Sequence, residues 1–140
     1  MVFRNIVRVS LILVMLASCS SGMKKPDVTD TIAAKIGNDY TVIESESVVS
    51  WSESPLKLLH LQYDDKGYEE LEERFSNTEF DLFGTHYLNN LENTFGELDE
   101  YEVVTKVMNG EYEKFYYLDN GDVGEYYFIL PDNQLVVLSY

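Results

Sequence analysis

The sequence predicts an α+β domain: an antiparallel sheet, made of a C-terminal four-stranded meander plus two or three N-terminal strands, with two helices packed on one face. Three observations predict it. Turn-forming residues recur at Asn109-Gly110, Asn120-Gly121 and Pro131-Asp132-Asn133, each between runs of β-branched and aromatic residues. From Leu56 to Tyr63 the side chains alternate, with Lys57, Leu59, Leu61 and Tyr63 on one face and Leu56, Leu58, His60 and Gln62 on the other. Finally, Tyr68, Leu71 and Phe75, and then Phe80, Phe83, Tyr87, Leu88, Leu91 and Phe95, keep the helical period.

In chain order, Ser20 to Pro26 lacks any periodicity and reads as a short flexible tether. Asp27 is placed to cap a short helix that carries Val28, Ile32 and Ile36 on one side and stops at Gly37. Tyr40-Thr41-Val42-Ile43 and Val48-Val49-Ser50-Trp51 are strand-like, and Glu44 to Ser47 is either a turn between them or an exposed continuation. Ser52 to Pro55 is turn chemistry, and Leu56 to Tyr63 is a strand apolar enough to lie inside a sheet. Asp64 or Asp65 caps the next helix, where Glu70 and Arg74 can pair one turn apart. Thr78 and Asp81 suit a capping box for the second helix, and Gly96 is its stop.

The three turns then predict strands at about 100–108, 111–119, 122–130 and 134–140. Their register sets Val107 opposite Tyr112, Val103 opposite Tyr116, Lys114 opposite Tyr127, Tyr127 opposite Val137, and Lys106 opposite Glu113. One face carries Tyr101, Val103, Val107, Tyr112, Tyr116, Leu118, Tyr127, Ile129, Leu135 and Val137, and is assigned to the core beneath the helices. The other carries Val104, Phe115, Tyr117, Tyr126, Phe128, Val136, Leu138 and Tyr140. A sheet with one solvated face alternates apolar with polar residues, and this one does not. Two readings follow. Either the N-terminal elements fold back over the second face or the sheet curls, or Phe115, Tyr117, Tyr126, Phe128 and Tyr140 line an exposed aromatic groove for a partner or ligand.

The first residues carry a different signal. Arg4 and Arg8 precede an apolar run over residues 9–17, too short for the roughly 20 residues that span a bilayer. It ends in Leu16-Ala17-Ser18-Cys19. This resembles the lipobox of bacterial lipoproteins, in which the chain is cut before the cysteine, and the cysteine is acylated on its sulfur and its new amine. The resemblance covers about the first 20 residues. It implies a signal peptide at 1–18, a lipidated Cys19 and tether at 19–26, and one domain at 27–140. Cys19 is the only cysteine, so no disulfide competes for it. Multiple acyl chains hold a protein firmly on a membrane without a transmembrane helix. Ser20, where an Asp commonly retains such proteins in the inner membrane, implies an outer-membrane address facing the periplasm in a Gram-negative cell; a Gram-positive surface stays open.

Cutting the first 18 of 140 residues, which hold two arginines and no acid, leaves 122 residues with 8 basic and 25 acidic side chains, a formal charge of −17. That size suits a single core. The charge excludes nucleic acid, since there is no basic patch for phosphates, and disfavours anionic headgroups, so attachment rests on the lipid. It attracts a cationic partner, or simply keeps the protein soluble.

Catalytic and metal signals are sparse. There is no Gly-x-Ser-x-Gly elbow or glycine-rich phosphate loop. His60 and His86 stand apart from one another and from Cys19, and Asp119-Asn120-Gly121-Asp122 lacks the later glutamate of a calcium loop. The glutamates at 69, 70, 72 and 73 read as a solvated helix face. No cofactor, metal or catalytic residue is expected. The expected role is a membrane-anchored envelope protein that binds another protein or ligand without catalysis. The alternatives are an inhibitor or immunity lipoprotein capturing a cationic toxin or cell-wall hydrolase, and an envelope hydrolase using paired carboxylates.

Overall fold

The computed structural model describes residues 26–49, 54–76, 90–119, 121 and 123–140. Strands β1 (Tyr40–Val48), β2 (Leu56–Tyr63), β3 (Lys114–Asp119), β4 (Gly124–Leu130) and β5 (Gln134–Ser139) form one sheet, in the spatial order β1-β2-β5-β4-β3. Every neighbouring pair is antiparallel. Helices α1 (Asp30–Ile36), α2 (Asp65–Ser76), α3 (Leu91–Phe95) and α4 (Glu102–Met108) complete the described fold, with a 3₁₀ turn at Gly96–Leu98. The class is α+β, as the sequence predicts.

The strands alternate in the way the Leu56–Tyr63 pattern requires, but both faces are covered. On one face Leu59, Leu61, Tyr63, Tyr127, Ile129, Leu135 and Val137 pack against Ile32 and Ile36 of α1 and Leu71 and Phe75 of α2. On the other, Leu56, Leu58, Tyr117, Tyr126, Phe128, Val136 and Leu138 pack against Leu91, Phe95 and Leu98, and against Val103, Val104 and Val107 of α4. Of the second expected helix only Leu91–Phe95 falls within the described residues, and it packs on the face opposite α2. Cover on both faces explains why β4 is buried along its whole length and β5 nearly so.

The local chemistry accounts for the helix ends. Thr29, not Asp27, caps α1: its Oγ1 accepts from the Ile32 amide at 3.3 Å. Asp64 caps α2, accepting from the Gly67 amide at 2.7 Å. At the end of α1, Arg74 Nε donates to the Lys35 carbonyl at 2.9 Å and Nη2 to that of Ile36 at 3.2 Å. The buried Tyr63 hydroxyl donates to the same Ile36 carbonyl at 2.9 Å.

Residues 100–108 are not a strand. Val103, Val104 and Val107 share one helical face as well as they suit a strand, and the sheet buries that face. Gly110, at φ +82°, ends the helix in a Schellman turn: Glu111 N–H donates to the Lys106 carbonyl at 3.0 Å and Gly110 N–H to that of Val107 at 3.1 Å. The expected Val107–Tyr112, Val103–Tyr116 and Lys106–Glu113 pairs do not form, and Lys106 instead meets Glu102 at 2.8 Å. The meander thus has three strands. Between β3 and β4 the connection spans residues 120–123 rather than two residues, so Lys114 faces Ile129 and Tyr116 faces Tyr127. A shift of two keeps every side chain on its expected face. Leu130 opposite Gln134 and Tyr127 opposite Val137 hold as expected, with Asp132 as well as Asn133 left-handed in the turn. Glu44 to Ser47 continues β1, with a bulge between Val42 and Glu44. Trp51, Thr78, Phe80, Asp81, Phe83, His86, Tyr87, Leu88, Asn120, Asp122 and the residues through Lys25, including Cys19, lie outside the described residues.

Candidate functional site

The five aromatics expected to line a groove are part of the core instead. Tyr117 and Tyr126 are 3 % exposed and Phe128 is 0 % exposed, while Phe115 and Tyr140 are half-buried against the same cluster. Their rings interlock: Tyr117–Tyr126 centroids are 4.7 Å apart, Phe115–Phe128 5.1 Å and Phe95–Tyr126 5.3 Å. Val103, Val104 and Val107 lie over them because Glu102–Met108 folds as a helix. The unusual apolar content of this face is explained by packing.

Among the described residues three buried polar positions sit inside the sheet: His60, Glu125 and Ser139. Glu125, 0 % exposed, takes a hydrogen bond from the Tyr127 hydroxyl at 2.7 Å and from Thr29 Oγ1 at 3.2 Å. Burial, then the hydrogen bond and charge of Glu125, push the Tyr127 phenol far above its ordinary value. The phenol is therefore a permanent donor. His60 Nε2 donates to Gln134 Oε1 at 2.8 Å on a neighbouring strand, as a satisfied histidine in a strand does. Asp119 Oδ1 accepts from the Gly121 amide at 2.8 Å, which fits a turn. Among the described residues, no three His, Cys, Asp or Glu side chains are grouped to hold a metal.

Charge is distributed unevenly. The described residues hold 21 of the acids and only 6 of the bases. Lys57, Lys66, Arg74, Lys106 and Lys114 each lie within 2.8–3.9 Å of a carboxylate. The surface therefore presents a large acid surplus with little mobile positive charge to offset it. These exposed ion pairs each contribute little to stability.

At one edge the surplus coincides with an open strand. β1 pairs only with β2, and among the described residues its backbone forms no hydrogen bond on the outer side. Between Lys35 and Lys57 the chain has no base. The bulge sets Glu44 opposite His60 and Glu46 opposite Leu58, on the α4 side of the sheet. There, burial first, and then the charges of Glu46, Glu100 and Glu44, push the Tyr101 phenol up. Ser45 and Ser47 are exposed between the glutamates. Among the described residues, the two exposed large apolar side chains are both here: Ile43 at 50 % and Val49 at 90 %.

The cavities offer no comparable site. A cavity of about 120 Å³ lies between the lead-in to α1 and strands β1 and β2, lined by Val28, Ile32, Leu59 and Lys57. A shallower, polar hollow surrounds Asp39, Thr41, Gln62 and Lys66. Among the described residues, no helix is long and apolar enough to cross a membrane. Comparison of the chain with models of protein families, with curated proteins and with solved structures found no match.

Proposed function

We propose that this chain is an envelope lipoprotein, held to a membrane through acylated Cys19, whose acidic domain binds another protein without catalysing a reaction. The observation that carries this reading is Leu16-Ala17-Ser18-Cys19 at the end of a basic-then-apolar leader. Pro26, the first described residue, is seven residues past Cys19, so covalent geometry keeps it within about 25 Å of the lipid. A domain so held acts at the membrane surface. Metabolic labelling with an alkyne fatty acid tests the anchor: the chain takes up label, Cys19→Ala does not, and full-length unlabelled protein in the soluble fraction overturns the reading.

The acid surplus favours a second, narrower reading: the partner is cationic, and the domain acts as an inhibitor or immunity lipoprotein against a basic toxin or cell-wall hydrolase. With bases already paired and acids in excess, long-range attraction speeds encounter with positive proteins and repels negative ones. Binding to lysozyme as a cationic probe is then strong at low salt and falls steeply as salt rises. Binding that ignores salt removes this reading and leaves the anchor untouched.

A further inference from the structure

We infer that the outer edge of β1 is a docking strand for an extended, basic segment of a protein partner, which adds to the sheet as a sixth strand. This rests on the proposal that the domain binds a cationic protein, and it names where and how.

The chain's own design of this edge supports it. Unpaired edge strands are usually blunted with charge, lysine above all, with proline, a bulge, a short length or a covering element. β1 carries one bulge and two glutamates, but neither lysine nor proline, and it runs for nine residues with no element covering it among the described residues. The opposite edge, β3, is shorter, at six residues, and carries Lys114, already paired with Glu72 at 2.8 Å. On β1 the small side chains of Ser45 and Ser47 leave the backbone accessible on one side of the sheet, and Glu44 and Glu46 stand on the other. Exposed Ile43, turned out by the bulge, adds an apolar contact at one end.

Charge decides the occupant. A second copy of this chain is disfavoured: antiparallel self-pairing centred on Ser45 sets Glu44 of each copy opposite Glu46 of the other, like charges about 5 Å apart. An acidic or neutral strand meets the same two carboxylates with nothing to compensate. A segment with Lys or Arg at alternate positions places its cations opposite Glu44 and Glu46, which share one side of β1. Main-chain hydrogen bonds then supply affinity and the alternating charges supply register, as in other strand additions.

The test is hydrogen exchange measured by mass spectrometry on the full acylated chain in non-ionic detergent. The probe is a synthetic peptide alternating lysine and valine; its controls are a glutamate–valine counterpart and the lysine peptide N-methylated at alternate residues. The expected result is slowed exchange across residues 40–48 with the lysine peptide alone. The double variant E44K/E46K should bind it on the order of ten-fold more weakly. Unchanged protection of β4 and β5 shows that this variant is folded. Equal binding of the N-methylated peptide overturns strand addition, since charge alone then suffices. Protection elsewhere, such as on α2, overturns the edge but leaves the cationic-partner reading standing. Absence of any protection removes both. Slowed exchange of β1 that grows with protein concentration and needs no peptide identifies a second copy as the occupant and overturns the proposal.

Discussion

The Tyr127 hydroxyl lies 2.7 Å from Glu125 Oε2, two residues apart on the same strand and both 0 % exposed. Residues two apart on a strand share a face, so this contact is fixed by the backbone rather than by a long side-chain excursion. Removing the phenol leaves a buried carboxylate short of a donor. Tyr127→Phe is expected to destabilise the domain by about 1–3 kcal/mol in urea unfolding. Replacing the carboxylate as well, in Tyr127→Phe with Glu125→Met, should cost less than the sum of the two single changes. Strict additivity would show that the two groups do not depend on one another.

Alkaline pH is expected to unfold the domain. Burial first, with secondary contributions from neighbours, holds the phenols of Tyr63, Tyr117 and Tyr127 above their ordinary value. A raised folded pKa means that the native state keeps protons that the unfolded chain releases above about pH 10. Stability from these groups is therefore complete below about pH 10 and declines above it, by about 1.4 kcal/mol per pH unit for each tyrosine. The check is the urea midpoint as a function of pH beside phenolate absorbance. Phenolate appearing for all 11 tyrosines near pH 10, with the fold intact, would contradict it.

Two glycines on helical elements should respond oppositely to alanine. A Cβ at Gly67 meets the Asp39 carbonyl oxygen at 2.6 Å, a backbone atom that cannot swing aside. Gly67→Ala is expected to cost about 1–3 kcal/mol despite the better helix propensity of alanine. At Gly96 the φ is −57° and a Cβ meets nothing within 4 Å, so Gly96→Ala should gain about 0.4–1 kcal/mol. Thermal midpoints of the two variants on either side of the parent would bear this out.

Substitutions on the second sheet face should appear as lost stability rather than lost recognition. Phe128 is fully buried between the rings of Tyr112 and Phe115, at 5.2 and 5.1 Å. Phe128→Ala is expected to cost about 3–5 kcal/mol. A variant of unchanged unfolding midpoint would restore the open-groove reading of that face.

Local signals were legible in proportion to how few alternatives they admit. The Leu56–Tyr63 alternation and the Tyr68, Leu71, Phe75 stripe have one period each and fold as expected. Residues 100–108 satisfy two periods at once, and Asn109-Gly110 serves a helix end as well as a hairpin, so only the burial of Val103, Val104 and Val107 against the sheet decides. The apolar content of both faces was visible, but which elements cover them depends on strand order. Likewise, nothing in Glu44-Ser45-Glu46-Ser47 marks it as an edge, because that follows from β5 entering beside β2.

The triple clasp on the last carbonyls of α1 also settles how the domain bears a load. Tension arriving through the residues before Pro26 enters at α1, a helix of only seven residues that would unwind readily on its own. Arg74 and Tyr63 grip its far end, so the force passes at once into α2 and the interior of the sheet. Were the chain tethered at Cys19 as proposed, a pull on it would strain the centre of the fold before it could peel away the rim.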